Sequence, residues 1–184
     1  MGKKYAIRDK EAMYFISFTI VGWVDVFSRK EYRDMLIDNL IYCQQNKGLI
    51  IYSWCIMSNH VHLVVQAKDS NLSDILRDFK SYTAKVLLNA IQTLPESRRE
   101  WMLKIFKEEA EKNSNNTNYG FWRQDNQFKE VHSKDFAFQK FNYIHNNPVE
   151  AGIVEKAEEY IYSSARDFYS GKNVGLLKIK FWDE

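Results

Sequence analysis

The stretch Met57-Ser58-Asn59-His60-Val61-His62-Leu63-Val64-Val65-Gln66 decides the fold. Side chains alternate along a strand, so His60 and His62 share one face while Val61 and Leu63 share the other. The pattern predicts a strand over residues 60–66. The run before it, residues 49–56, is Leu-Ile-Ile-Tyr-Ser-Trp-Cys-Ile, rich in β-branched and aromatic types. With 57–59 as a tight connection, the two runs read as a hairpin.

Working outward, residues 13–21 read as another strand, closed by Gly22 and Trp23. Residues 30–46 read as a helix stopped by Lys47-Gly48. Residues 71–92 carry Leu72, Ile75, Leu76, Phe79, Thr83, Val86, Leu87 and Ala90 on one helical stripe, with Arg77, Lys80 and Lys85 off it. Beyond Pro95, residues 96–112 form an amphipathic helix with Trp101, Met102, Ile105 and Phe106 on one side, followed by a polar loop over 113–118. Residues 128–132 read as a short strand. Ser133 can N-cap a helix from Lys134 to about Asn147, ended by Pro148. The order is strand, helix, strand, strand, helix, insertion, strand, helix. That βαββαβ core predicts an α+β, ferredoxin-like (split βαβ) antiparallel sheet with helices on one face. The expected organisation is a single domain over 1–184, with a helical insertion at 95–118. The C-terminal tail at 149–184 would be anchored by Tyr160, Tyr162, Phe168, Leu176, Ile179, Phe181 and Trp182. No internal repeat is visible.

A chain of 184 residues can bury a real core, and its 45% hydrophobic and 27% charged content is ordinary for a globular protein. The formal net charge of +2 permits a nucleic-acid partner without demanding one, because phosphate binding needs a local patch. Cys43 and Cys55 lie in apolar stretches with no CxxC pairing and read as reduced core thiols. The charged start has no apolar leader, and no run approaches the roughly 20 residues of a membrane span. These features set an expectation of a cytoplasmic protein with no membrane partner.

Residues i and i+2 of a strand lie about 6.6–6.8 Å apart, so the imidazoles of His60 and His62 can converge on one ion. Burying both without partners would cost a few kcal/mol. HxH alone is a weak motif, more often a pair of satisfied or half-exposed strand histidines. A third ligand and a nucleophile must come from elsewhere. Phe141-Asn142-Tyr143-Ile144-His145-Asn146-Asn147-Pro148-Val149 offers both. At about 100° per residue, Tyr143 and Asn147 lie about 40° apart on one helix face, with Lys140 on the same side. Ala137, Phe141 and Ile144 form the adjoining core stripe. His145 is about 200° round from Tyr143 and is expected to be structural or solvent-facing.

MSNHVHLVV and YIHNNPVEAGIV together resemble the REP-associated tyrosine transposases, within the wider single-tyrosine HUH family. Phe121-Trp122-Arg123-Gln124-Asp125-Asn126-Gln127 and Tyr160-Ile161-Tyr162-Ser163-Ser164-Ala165-Arg166-Asp167 extend the resemblance, which covers roughly residues 12–180. It implies that His60 and His62 are metal ligands, Tyr143 the nucleophile and Asn147 the third ligand. Related insertion-sequence transposases often place Gln there; Asn is one methylene shorter, so the helix must approach the sheet more closely. The implied reaction is metal-dependent cleavage and strand transfer of single-stranded or hairpin DNA through a 5′-phosphotyrosine. Two imidazoles and an amide form a mixed N/O site that suits Mg²⁺ or Mn²⁺ in use.

Gln66, on the same strand face as the histidines, is a candidate to orient a ligand or phosphate, and Lys140 a candidate phosphate contact. Arg77, Lys80 and Lys85, with Lys3, Lys4, Arg8 and Lys10, are candidate DNA-backbone contacts. Trp122 and Arg123 could stack on or clamp bases. Competing readings are a replication-initiator-like HUH nickase, a non-catalytic ferredoxin-like nucleic-acid-binding module, and a zinc hydrolase with metal-bound water. The last would need another ligand or a carboxylate base, and no HExxH is present. The oligomeric state, monomer or homodimer, stays open.

Overall fold

The computed structural model describes residues 7–112, 118–125 and 127–182. Strands β1 (Tyr14–Thr19), β2 (Leu49–Ile56), β3 (His60–Ala67) and β4 (Gln127–Glu130) pair antiparallel in the order β2-β3-β1-β4. With α1 (Lys30–Asn46) between β1 and β2, and α2 (Leu72–Thr93) after β3, this is the split-βαβ arrangement. The fold is α+β and ferredoxin-like.

The two sheet faces do different work. Phe18 of β1 stacks on Phe79 of α2 at 6.1 Å between ring centroids, so α1 and α2 cover that face. Phe15, of opposite parity, meets Tyr143 of α4 (Lys134–Glu150) at 6.0 Å. The expectation of helices on one face therefore holds for α1 and α2, while α4 crosses the other. Both faces of β1 and β3 carry apolar side chains, and a one-sided layer would have left Phe15 and Val64 in water.

A bulge aims β2 at α4. Ile51 pairs with Val65, but Ser53 pairs with Val64, so Tyr52 is the extra residue. Without it, alternation would turn Ser53 into the α1/α2 core; with it, Ser53 faces α4. The C-terminal tail then covers the edge of β2. Ile56 N–H donates to the Tyr162 carbonyl at 2.9 Å, Ser164 N–H to Trp54 O at 3.0 Å, and Lys180 N–H to Ile51 O at 2.8 Å. This leaves less of the edge open to stray pairing.

Several expected boundaries move. Ser133 does cap α4, accepting from Phe136 N–H at 3.2 Å. Pro148, expected to end the helix, lies inside its last turn. So near the end, proline forfeits only one intrahelical bond. The stop comes at Gly152, whose φ of 67° reverses the chain. The insertion forms α3 (Arg99–Glu111), which buries Met102 and Phe106. The tail adds a short α5 (Ala165–Ser170). Both cysteines are free and buried. No helix among the described residues is long and apolar enough to cross a membrane.

Candidate active site

Strand register and helix phase bring the two motifs together. On β1, Thr19 lies opposite His60 and Ser17 opposite His62. The imidazoles sit 4.7 Å apart, ring to ring. The His62 ring is 5.2 Å from the Tyr143 ring and stacks on Phe15 at 5.6 Å. One open cleft of about 450 Å³ is lined by His60, His62, Lys140, Tyr143 and Asn147. Ser17, Thr19, Trp23 and Lys129 also line it. Tyr143 is 43% exposed, so the phenol is open to a substrate.

The two imidazoles are prepared differently. Asn59 Nδ2 donates to the Trp23 carbonyl at 3.3 Å, which leaves Asn59 Oδ1 to accept from His60 Nδ1–H at 2.6 Å. That bond fixes the tautomer and presents the Nε2 lone pair. Burial lowers the His60 pKa, while a hydrogen bond from its ring to the Asn147 side-chain oxygen partly opposes it. His62 is 5% exposed, and neither ring nitrogen has a partner. Burial, with His60 and Lys140 nearby, pushes its pKa down to about 3. Both histidines are neutral at physiological pH, as metal ligands must be.

Asn147 Nδ2 donates to the Tyr143 carbonyl at 2.6 Å, which leaves its Oδ1 to act as a donor atom. The orphaned nitrogens of His62 therefore fit a cation held by His60, His62 and Asn147. Among the described residues, no three His, Cys, Asp or Glu side chains cluster as a metal group. A third protein ligand here would be a neutral oxygen, and the Asn147 amide offers one.

The charge around the site is positive. Among the described residues the lining includes Lys129 and Lys140 and no carboxylate. Lys140 Nζ lies 5.7 Å from the Tyr143 ring centre and 5.1 Å from that of Phe15. Burial, and then repulsion from Lys129, lowers its pKa. Such a site attracts phosphate.

α4 is pinned where the site needs it. His145, fully buried, has Nε2 at 2.8 Å from Ser164 Oγ and 3.1 Å from Ser53 Oγ. Ser164 Oγ also accepts from Trp54 N–H at 2.9 Å. His145 is thus structural, joining the helix that carries Tyr143 to the bulged strand and the tail.

The other expected contacts fall elsewhere. Gln66 shares the histidines' face, but four residues along the strand is roughly 13 Å. It accepts from Tyr52 Oη at 2.6 Å and donates to Glu11 O at 2.5 Å, outside the cleft. Arg77 is exposed on α2 and pairs with Asp74 and Asp78. Lys85 lines a separate hollow between α1 and α2, of about 600 Å³. Lys80 is largely buried, donating from Nζ to the Arg123 carbonyl at 3.0 Å. Trp122, 4% exposed, is core, and its Nε1–H donates to Thr83 Oγ1 at 3.1 Å. Arg123 pairs with Asp125 and lies over the Trp23 ring. Lys3, Lys4 and the loop at 113–117 lie outside the described residues. Phe15, Ser17, Thr19, Trp23 and Lys129 were missed. The strand alternation of Phe15, Ser17 and Thr19 was the available signal for those three.

Residues 24–119 match the family model described as "Transposase IS200 like", just over half of the chain. The chain belongs to the IS200-like transposase family. The matched segment includes His60 and His62 and stops short of Tyr143. A solved REP-associated tyrosine transposase bound to a REP hairpin is 16% identical, covers 100% of this chain and 95% of its own, and superposes with a TM-score of 0.65. At that identity the likeness is one of fold. A putative transposase from Deinococcus radiodurans R1 is 17% identical over 79% of this chain and 95% of that one. Its TM-score of 0.43 is too low to carry an argument. No curated protein sequence matches the chain.

Proposed function

We propose that this protein cuts and rejoins single-stranded DNA, with Tyr143 as the nucleophile, acting as a single HUH-type domain on DNA in the cytoplasm. One observation carries the reading. Two neutral imidazoles, an amide and a half-exposed phenol converge in one cleft that, among the described residues, holds lysines and no carboxylate.

The Tyr143 oxygen gives up its proton and attacks a backbone phosphorus. The bond from phosphorus to the 3′ oxygen breaks, and that oxygen takes up a proton. The products are a 5′-phosphotyrosine and a free 3′-hydroxyl. The bond energy stays in the phosphotyrosine, so a second 3′-hydroxyl can reverse the step and complete strand transfer. His60, His62 and Asn147 would hold Mg²⁺ or Mn²⁺. When bound, that ion supplies a positive charge that polarises the phosphate and offsets the charge that develops on it. Lys140 and Lys129 hold the phosphate in place. His145 keeps α4 against the sheet, so the phenol stays beside the histidines. The related fold solved with a REP hairpin supports a hairpin substrate.

The test is incubation of labelled hairpin DNA carrying a single-stranded flank with Mn²⁺ or Mg²⁺. The wild type should give cleavage and a protein–DNA adduct that EDTA suppresses. Tyr143→Phe should give neither. Cleavage that persists in Tyr143→Phe would assign the attack to water.

A further inference from the structure

We infer that Trp23 is a stacking platform for one unpaired nucleobase beside the scissile phosphate; the inference rests on the cleavage reading above. Trp23 lines the same cleft as His60, His62 and Tyr143. At 60%, it is more exposed than any other large apolar side chain among the described residues. An indole left in water at the mouth of the cleft forgoes favourable apolar burial. Nucleobases offer the flat apolar faces that would cover it.

The backbone is distorted to hold it there. Gly22 and Trp23 take φ of 61° and 54°, two successive left-handed residues. A bulky residue at positive φ is strained, and such strain gathers at functional sites. The surrounding structure enforces the turn. A Cβ on Gly22 would lie 2.7 Å from Ile105 Cγ2 of α3, so the insertion packs directly beneath it. The Trp23 carbonyl accepts from Asn59, and Asn59 in turn orients His60. Platform and candidate metal ligand are thus fixed to one side chain. Arg123 places its guanidinium 5.5 Å from the ring centre, backing the indole while its backbone N–H donates to Thr19 O at 2.8 Å. Lys129 and Lys140, in the same cleft, would hold the adjoining phosphates. An aromatic ring backed by arginine and flanked by lysines matches single-stranded DNA, whose bases stack whatever their identity.

The probes are fluorescently labelled oligothymidylate and an abasic strand of equal length, titrated in the Tyr143→Phe background so that no cleavage occurs. Trp23→Asn is the chosen variant, because asparagine tolerates positive φ and should keep the turn folded. Its melting temperature checks this, and Trp23→Phe restores an aromatic face. Trp23→Asn should weaken oligothymidylate binding roughly 5- to 100-fold. Trp23→Phe should recover most of that loss, and the abasic strand should bind the parent and Trp23→Asn alike. Equal oligothymidylate affinity in the parent and Trp23→Asn would overturn the inference and leave the cleavage reading standing. Equal affinity of the parent for abasic and thymidylate strands would do the same. No binding of either strand by the parent would also overturn the inference, and the hairpin cleavage assay would decide the cleavage reading separately.

Discussion

Lys80 gives the sharpest separation between a lysine that holds the fold and one that holds DNA. Burial pulls its pKa from the ordinary 10.5 down to about 8, with only partial relief from Asp125. Its Nζ donates to the Arg123 carbonyl and lies 5.5 Å from the centre of the Phe18 ring. The unfolded chain therefore binds more protons than the folded one between about pH 8 and pH 10.5, so stability rises with pH across that window. At 1.36 kcal/mol per pH unit, the full rise is about 3 kcal/mol. Lys80→Met removes that rise and also loses the bond to the Arg123 carbonyl, at about 1–2 kcal/mol. The variant should then be about 1–2 kcal/mol more stable than wild type near pH 7 and less stable by a similar amount near pH 10.5. Urea unfolding followed by tryptophan fluorescence, at several pH values, reads the difference. Binding of hairpin DNA should be unchanged near pH 7. Parallel pH profiles for the two proteins would refute the burial argument. A loss of DNA affinity with a shallower salt dependence would return Lys80 to the phosphate contacts.

His62→Phe removes two unpartnered buried nitrogens, so the metal-free protein should gain about 1–3 kcal/mol in urea unfolding; a loss would mean that those nitrogens have partners. Mn²⁺ should raise the melting temperature of wild type and leave that of His62→Phe unmoved. Ser164→Ala strips a partner from both Trp54 N–H and His145, and should cost about 2–4 kcal/mol. Ser53→Ala should cost less, because His145 keeps Ser164. Gly175→Ala drives a Cβ into Asp167 Oδ2, within the pocket where Asp167 receives Val174 N–H and Gly175 N–H. It should destabilise the protein by about 1–3 kcal/mol, seen as a lower urea midpoint; an unchanged midpoint would mean that the tail turn shifts freely.

What could be read in the sequence was local. His60 with His62 follows from strand alternation, and Tyr143 with Asn147 from the helical repeat, so each pair needs only its own element. The βαββαβ order sufficed for the sheet, because short connections leave few ways to lay those strands down. What stayed hidden depends on register and on packing from distant segments. Ser17 and Thr19 reach the cleft only through their pairing with β3. Trp122, expected to stack on bases, is core while Trp23 is exposed, because burial of the Trp122 indole depends on Thr83 and Phe27, far from it in the chain. Lys80 lies off the apolar stripe of α2, yet its aliphatic stem and Nζ are drawn over Phe18 of β1. Gln66 is on the expected face, but distance along the strand removes it from the site. The bulge at Tyr52, which turns Ser53 toward His145, leaves no mark in the pattern of residue types.

The most direct test of the central claim is mass-spectrometric mapping of the covalent adduct. Wild-type protein would be incubated with hairpin DNA and Mn²⁺, treated with nuclease and protease, and searched for a nucleotide-bearing peptide. The account predicts a nucleotide attached through its 5′ phosphate to Tyr143, with a 3′-hydroxyl on the released strand. An adduct on another residue, or cleaved DNA with no adduct at all, would contradict it.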